Sequence, residues 1–233
     1  ASESMRSKLA EYNDPRLSRA FITKQGTSGK EQAPGTADNA VYAPNGTPEQ
    51  GTSKYGTSLF MYSISAPTLL LSYHELKFLE AEALCRLERD AKSALKDAVV
   101  AGLLNAENSF TISRKELGKT LINAASSITE AEAESYFDNT IEAKYTAEPL
   151  KTTMTQKYFA LWGASGEATE SYNDVRRMKG LGENFIELKN PNSFPLRCPY
   201  GNSDTTTNAE VKAAYGNGQY VYSENVWWAG GSR

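Results

Sequence analysis

Apolar residues recur along this chain in short stretches of helical spacing, set between long polar runs. Met5, Leu9 and Tyr12 follow one another at steps of four and three. Asn13-Asp14-Pro15 then stops the pattern, because the residue before a proline is disfavoured in the helical region. A helix tail with no partner ahead of it reads as the C-terminal part of something longer.

A short apolar approach, Pro67 to Leu71, leads into a well-marked helix start. Ser72-Tyr73-His74-Glu75 is a capping box: the Ser72 hydroxyl accepts from the Glu75 amide, and the Glu75 carboxylate reaches back. Tyr73, Leu76, Leu79, Ala83 and Leu87 then form an apolar stripe, the expected buried face. After a turn of two to three residues Asp90 caps a second helix, with Ala91, Ala94, Leu95, Ala98, Val99 and Leu103 facing the first. The pair is an antiparallel hairpin of tetratricopeptide type.

Thr129-Glu130-Ala131-Glu132 is another capping box, ahead of Tyr136, Phe137 and Ile141. A further helix spans about Glu148 to Trp162, burying Leu150, Met154, Tyr158, Leu161 and Trp162, and Gly163 and Gly166 end it. Ser171 to Met178 forms one more short helix. Beyond Gly180 prolines and glycines predict loop. No alternation is long enough for a large sheet, so the expected fold class is mainly α with long loops.

Between Lys24 and Ser58, Gly, Ser, Thr and Pro make up 17 of 35 residues. So long a loop inside a compact domain is either a binding loop or a linker, and interleaved aromatics favour binding. Tyr42, Tyr55, Phe60 and Tyr62 offer ring faces for the CH groups of a sugar, and Asn39, Asn45 and Gln50 offer amides for its hydroxyls. Tyr42, Asn45, Tyr55 and Phe60 are the candidate ligand-binding residues, with Lys24 to Tyr62 the preferred contact region. Tyrosines that pack the loop down are the simpler alternative.

Composition narrows the chemistry. The chain has 233 residues, and aromatics at 10% argue against disorder throughout. A formal charge of −3 leaves no basic excess for phosphates, so no nucleic-acid partner is expected. His74 is the single histidine, so no His-rich metal site is possible and no metal ligand, cofactor or catalytic residue is expected. Cys85 and Cys198 show no CxxC spacing, and whether they pair stays open. No apolar run is long enough for a transmembrane helix, and no charged-then-apolar leader stands at Ala1.

His74, at the second position of its helix, reads as structural. Glu80 and Glu82 are the pair that a glycoside hydrolase would use, although such carboxylates are routine on helix faces. Asp14-Pro15-Arg16 and Asp174-Val175-Arg176-Arg177 read as clamps in which a guanidinium grips a carboxylate elsewhere in the chain through two bonds and fixes a long segment. Trp227-Trp228 reads as an anchor for the tail.

Several phrases, in order, resemble the SusD/RagB superfamily of outer-membrane nutrient-binding lipoproteins of the Bacteroidetes, closest to its SusD-like 2 branch. They are Asn13-Asp14-Pro15-Arg16-Leu17; Tyr73-His74-Glu75-Leu76 running into Leu79-Glu80-Ala81-Glu82-Ala83; Gln156-Lys157-Tyr158-Phe159-Ala160-Leu161; Glu170-Ser171-Tyr172-Asn173-Asp174-Val175-Arg176-Arg177; and Pro195-Leu196-Arg197-Cys198-Pro199-Tyr200 followed by Asn208. Tyr172 stands where tryptophan is usual, Asp204 where glutamate is expected, and Pro199 precedes Tyr200 instead of following it.

The resemblance implies tetratricopeptide-like helical hairpins supporting a long-loop C-terminal region. Residues 1–233 would be the C-terminal part of a single SusD-like unit. Within it, 1–22 are the end of a preceding helix and the DPRL turn, 23–66 a long loop and possible ligand surface, 67–107 the helical hairpin, and 108–233 helices and a loop-rich C-terminal region. It further implies a non-enzymatic protein on the outer surface of the outer membrane, held by a lipid anchor outside this chain. Such a protein binds oligosaccharides and delivers them to a TonB-dependent, SusC-like transporter. Oligopeptide capture on the same scaffold, or an intracellular helical-repeat adaptor, are the alternatives.

Overall fold

The computed structural model describes residues 2–25, 30–32, 42–46, 55–117, 125–189, 193–216 and 220–231. Helices dominate, in two units, 1–189 and 190–233. The first helix, α1 (Glu3–Glu11), buries Met5 and Leu9 as their spacing predicts, with Ser2 as its N-cap. Asn13 then takes a positive φ of 48°, a conformation asparagine tolerates, and the chain turns through Asp14-Pro15-Arg16.

Three short strands occupy the region predicted as loop. Strand β1 (Phe21–Gln25) lies between β2 (Lys30–Gln32) and β3 (Thr57–Ser58), with Thr23 opposite Gln32 and Phe21 opposite Ser58. A 3₁₀ turn, Leu59–Tyr62, continues from β3 with Leu59 fully buried. Residues 42–46 dock on α1: the Glu3 amide donates to the Ala43 carbonyl at 3.0 Å.

The hairpin forms from α2 (Tyr73–Arg86) and α3 (Lys92–Leu117). Its connection is five residues, 87–91, longer than expected, with Glu88 at φ 55°. On α3 the expected face, Ala94, Leu95, Ala98, Val99 and Leu103, is buried, and the helix runs on to bury Phe110. On α2 the expectation is overturned. Tyr73, Leu76, Leu79 and Leu87 are 43–64% exposed, whereas His74, Glu75, Phe78, Ala81 and Glu82 are buried. Glu82 turns inward because it finds partners there. Glu82 receives both Arg177 nitrogens, at 2.5 and 2.8 Å, and Arg86 Nε at 2.7 Å.

Helix α4 (Glu130–Tyr136) passes through a π-type turn, 137–141, into α5 (Glu142–Ala147), burying Tyr136, Phe137 and Ile141. Both capping boxes form by half: Ser72 and Thr129 accept from Glu75 and Glu132 amides as predicted. The glutamate side chains go elsewhere, that of Glu132 to Arg19 at 3.0 Å.

Helix α6 (Pro149–Leu161) is surrounded. Met154 and Leu161 are buried as expected, while Leu150, Tyr158 and Trp162 are only half-buried, and Thr152, Thr153, Thr155, Gln156 and Lys157 are inside as well. Thr153 and Thr155 bond back to the carbonyls of Pro149 and Lys151, and Lys157 pairs with Asp174 at 2.8 Å, so most of this polarity is satisfied. Helix α3 crosses α6 at Gly102, where a Cβ would come within 2.9 Å of the Ala160 Cβ. The 3₁₀ turn Ser165–Thr169 leads into α7 (Glu170–Gly180).

The second unit contains α8 (Asn202–Thr207) and α9 (Ala209–Tyr215), where sequence predicts only loop. Asn208 caps α9 through the amides of Glu210 and Val211. Tyr200 stacks on Tyr215 at 4.3 Å between ring centres. Trp227 and Trp228 are 71% and 70% exposed and do not anchor the tail in a core. Cys85 and Cys198 are both free thiols.

Candidate functional site

The four candidate binding residues do not converge on one place. Tyr42 packs edge-on against Phe21 at 5.3 Å, under the Arg6 guanidinium at 5.4 Å, and burial pushes its hydroxyl pKa up. Phe21 meets Trp162 at 5.3 Å, Trp162 meets Phe60 at 5.0 Å, and Phe60 meets Phe110 at 4.8 Å. Tyr42 and Phe60 thus belong to one aromatic relay that runs through Phe21 and Trp162 and ends on Phe110. Asn45 instead accepts from the Ser2 hydroxyl at 2.9 Å and lines a groove beside α1. Tyr55 is half-buried, just ahead of β3. Asn39 and Gln50 lie outside the described residues.

Phe60 also walls a cleft of about 260 Å³. Pro67 and Leu69 continue that wall, Asn105, Asn108 and Ser109 line the α3 side, and Ser165 comes from the turn after α6. Two glycines let these segments close in. Gly163, at φ +80°, lies flat against the Phe60 ring, and Gly166 lies against the Leu69 carbonyl, each where a Cβ would collide. The twelve described residues lining the cleft include no charged side chain, although 23% of the chain is charged.

Asn105 and Asn108, three apart on α3, present both amides on one helix face. The hairpin reading stopped at the apolar stripe of α3 and missed them. The signal available was a polar i, i+3, i+4 set, Asn105, Asn108 and Ser109, on the far side of Leu103 and Ala106.

The charged residues singled out in the sequence lie outside the lining of this cleft. Arg16 grips not a distant carboxylate but its own neighbour Asp14, through Nε at 2.8 Å and Nη2 at 2.6 Å, so this clamp closes within one turn of chain and does not tie down a distant segment. Arg177 clamps Glu82 across the fold, and the two arginine bonds outweigh burial to hold that carboxyl below its ordinary value. Glu80 bonds Lys77 at 3.0 Å. His74 is buried 3.5 Å from Glu167, and burial lowers its pKa, keeping it neutral at pH 7. Glu75 is raised from 4.5 to about 7, first by burial and then by the neighbouring Glu167 carboxyl. Among the described residues no group of three His, Cys, Asp or Glu is placed to hold a metal, and no helix is long and apolar enough to cross a membrane.

A carboxyl raised on folding binds its proton more tightly folded than unfolded, so its stabilisation is lost as pH climbs from about 4.5 to about 7. His74, lowered on folding, works oppositely and favours the folded state as pH rises toward 6.5. Comparison with Glu75→Gln isolates the first effect. The variant is expected to gain about 2–3 kcal/mol on the parent between pH 4.5 and pH 7.5 in urea unfolding. A constant difference across that range would refute the raised carboxyl.

A family model described as starch-binding associating with outer membrane, SusD-like 2, matches residues 1–200. The chain belongs to the SusD/RagB family. A crystal structure of a SusD/RagB family protein from Bacteroides thetaiotaomicron is 64% identical, with a TM-score of 0.88, and the match covers 99% of this chain and 50% of that one. This SusD-like chain therefore spans about half the length of that relative. None of the curated proteins matches it. The mainly helical fold agrees with that relative, and the family is one of binding proteins associated with the outer membrane.

Proposed function

We propose that this SusD-like chain captures a neutral oligosaccharide at the outer surface of the outer membrane and delivers it, without catalysis, to a TonB-dependent transporter. The observation that carries the reading is the uncharged cleft, with the Phe60 ring and the Pro67–Leu69 wall facing the amides of Asn105 and Asn108. Neutral sugar rings match an apolar wall opposite paired donors and acceptors, whereas the backbone and ends of a peptide call for charged or ladder-forming partners. Tyr42 and Tyr55 extend the contact region along the same aromatic-rich segment.

A binding screen of soluble starch fragments, other neutral glycans and oligopeptides tests the reading. Binding confined to peptides, or turnover of any glycan, would overturn it. Asn105→Ala and Asn108→Ala should each weaken glycan binding about 5–10-fold, the worth of one uncharged hydrogen bond, without lowering the melting temperature. Unchanged affinity in the double variant would move the site away from this cleft.

A further inference from the structure

Three polar side chains line the α3 side of the cleft, and they differ in how water reaches them. Asn105 is half-buried and Asn108 is exposed, so water serves their amides whenever a ligand does not. Ser109 is only 7% exposed and is the one buried polar side chain among the described residues of the lining.

The Ser109 hydroxyl is also uncommitted. A serine or threonine inside a helix can bond back to the carbonyl four residues earlier. Ser113, one turn on, does so to the Ser109 carbonyl at 2.7 Å, and Thr153 and Thr155 do so on α6. Among the described residues the Ser109 hydroxyl makes no hydrogen bond of any kind. Unlike His74 Nε2 and Glu167 Oε2, which are unbonded and sealed off, its oxygen opens onto the space it lines, the cleft.

The rest of the lining decides what can meet it. A charged ligand group would lose its water there and find no counter-ion. A ligand hydroxyl donates and accepts as the serine hydroxyl does, and so matches both of its unused capacities. The volume of about 260 Å³ falls below the roughly 300–1,000 Å³ of clefts that hold drug-sized molecules, which suits one sugar ring instead of a run of them.

We propose that Ser109 selects the sugar: one ring enters the cleft at a time, and entry requires a hydroxyl of that ring on the Ser109 oxygen. A ring with hydrogen at that position strips water from a buried hydroxyl and puts nothing in its place. A hydroxyl missing opposite Asn105 or Asn108 is replaced by water and matters less. The selection rests on the capture reading of the same cleft.

Calorimetric titration with maltotriose and cellotriose, followed by singly deoxygenated forms of the tighter binder, tests the selection. In the parent chain one deoxy position should weaken binding about 10–100-fold, the cost of an unpaired buried group, and each of the others less than about tenfold. In Ser109→Ala that position should lose its penalty, because no hydroxyl is left to strand, and the melting temperature should not change. In Asn105→Ala the penalty at that position should persist. A parent in which no position stands out, or a penalty undiminished in Ser109→Ala, overturns the selection and leaves the capture reading standing. Uniform weakening across the series in Ser109→Ala, with a lowered melting temperature, overturns it too and makes the serine structural. Failure of the parent to bind either trisaccharide or any other neutral glycan overturns the capture reading, and the selection with it.

Discussion

Replacing Arg16 with Leu is expected to destabilise the chain by about 3–5 kcal/mol, the usual cost of breaking a buried ion pair from one side. Arg16 is 2% exposed, and its fork holds both oxygens of Asp14, which is itself buried and also accepts from the Tyr136 hydroxyl at 3.3 Å. Its remaining arm donates to the Phe159 carbonyl at 2.7 Å. That carbonyl lies in the last turn of α6, where no intrahelical donor remains and the helix dipole favours a cation. The variant would thus strand a carboxylate and a helix-end carbonyl in the core. Converting Asp14 to Leu as well should recover part of the loss, because a buried pair replaced by apolar residues is often close to neutral. Urea unfolding of the two single variants and the double variant measures this coupling. A loss below about 1 kcal/mol for Arg16→Leu would mean that the pair is worth no more than an exposed one.

Gly163→Ala should cost about 2–5 kcal/mol by two additive routes. A side chain at φ +80° is strained by about 1–2 kcal/mol, and a methyl driven into the Phe60 ring adds an overpacking cost of about 1–3 kcal/mol. Gly182 supplies the control. It has φ +76° but open space where the Cβ would be, so Gly182→Ala should show the backbone cost alone, about 1–2 kcal/mol. Thermal melts of both variants separate the routes. If the two substitutions cost the same, the ring is not packed against the glycine. Phe60→Leu in the Gly163→Ala background should restore part of the loss by vacating the space.

The sequence reveals local features of this fold better than distant ones. Capping residues Ser72 and Thr129, the stop at Asn13-Asp14-Pro15 and the buried stripe of α3 depend on neighbours within one or two turns, and they appear where the spacing puts them. The orientation of α2 depends on Arg177 and Glu167, both more than ninety residues further on, so its apolar periodicity points the wrong way. Partner-dependent polarity also explains α6, whose threonines can be buried because their hydroxyls bond their own helix. Helices α8 and α9 are not legible because each is two turns or less, too short for an apolar period to repeat. At the site, Phe60 was visible as an aromatic beside a glycine-rich run, whereas Asn105 and Asn108 became meaningful only once the 60–69 segment lay across α3.

The relay from Tyr42 to Phe110 also provides an optical handle. Tryptophan emission responds to the polarity and packing around the indole, and Trp162 touches Phe60, part of the cleft wall, on one side and Phe21 on the other. The other two tryptophans, Trp227 and Trp228, belong to the second unit and are largely exposed. Changing both to Phe leaves a single emitter beside the cleft. Its spectrum then follows occupancy of the cleft in real time, without a label.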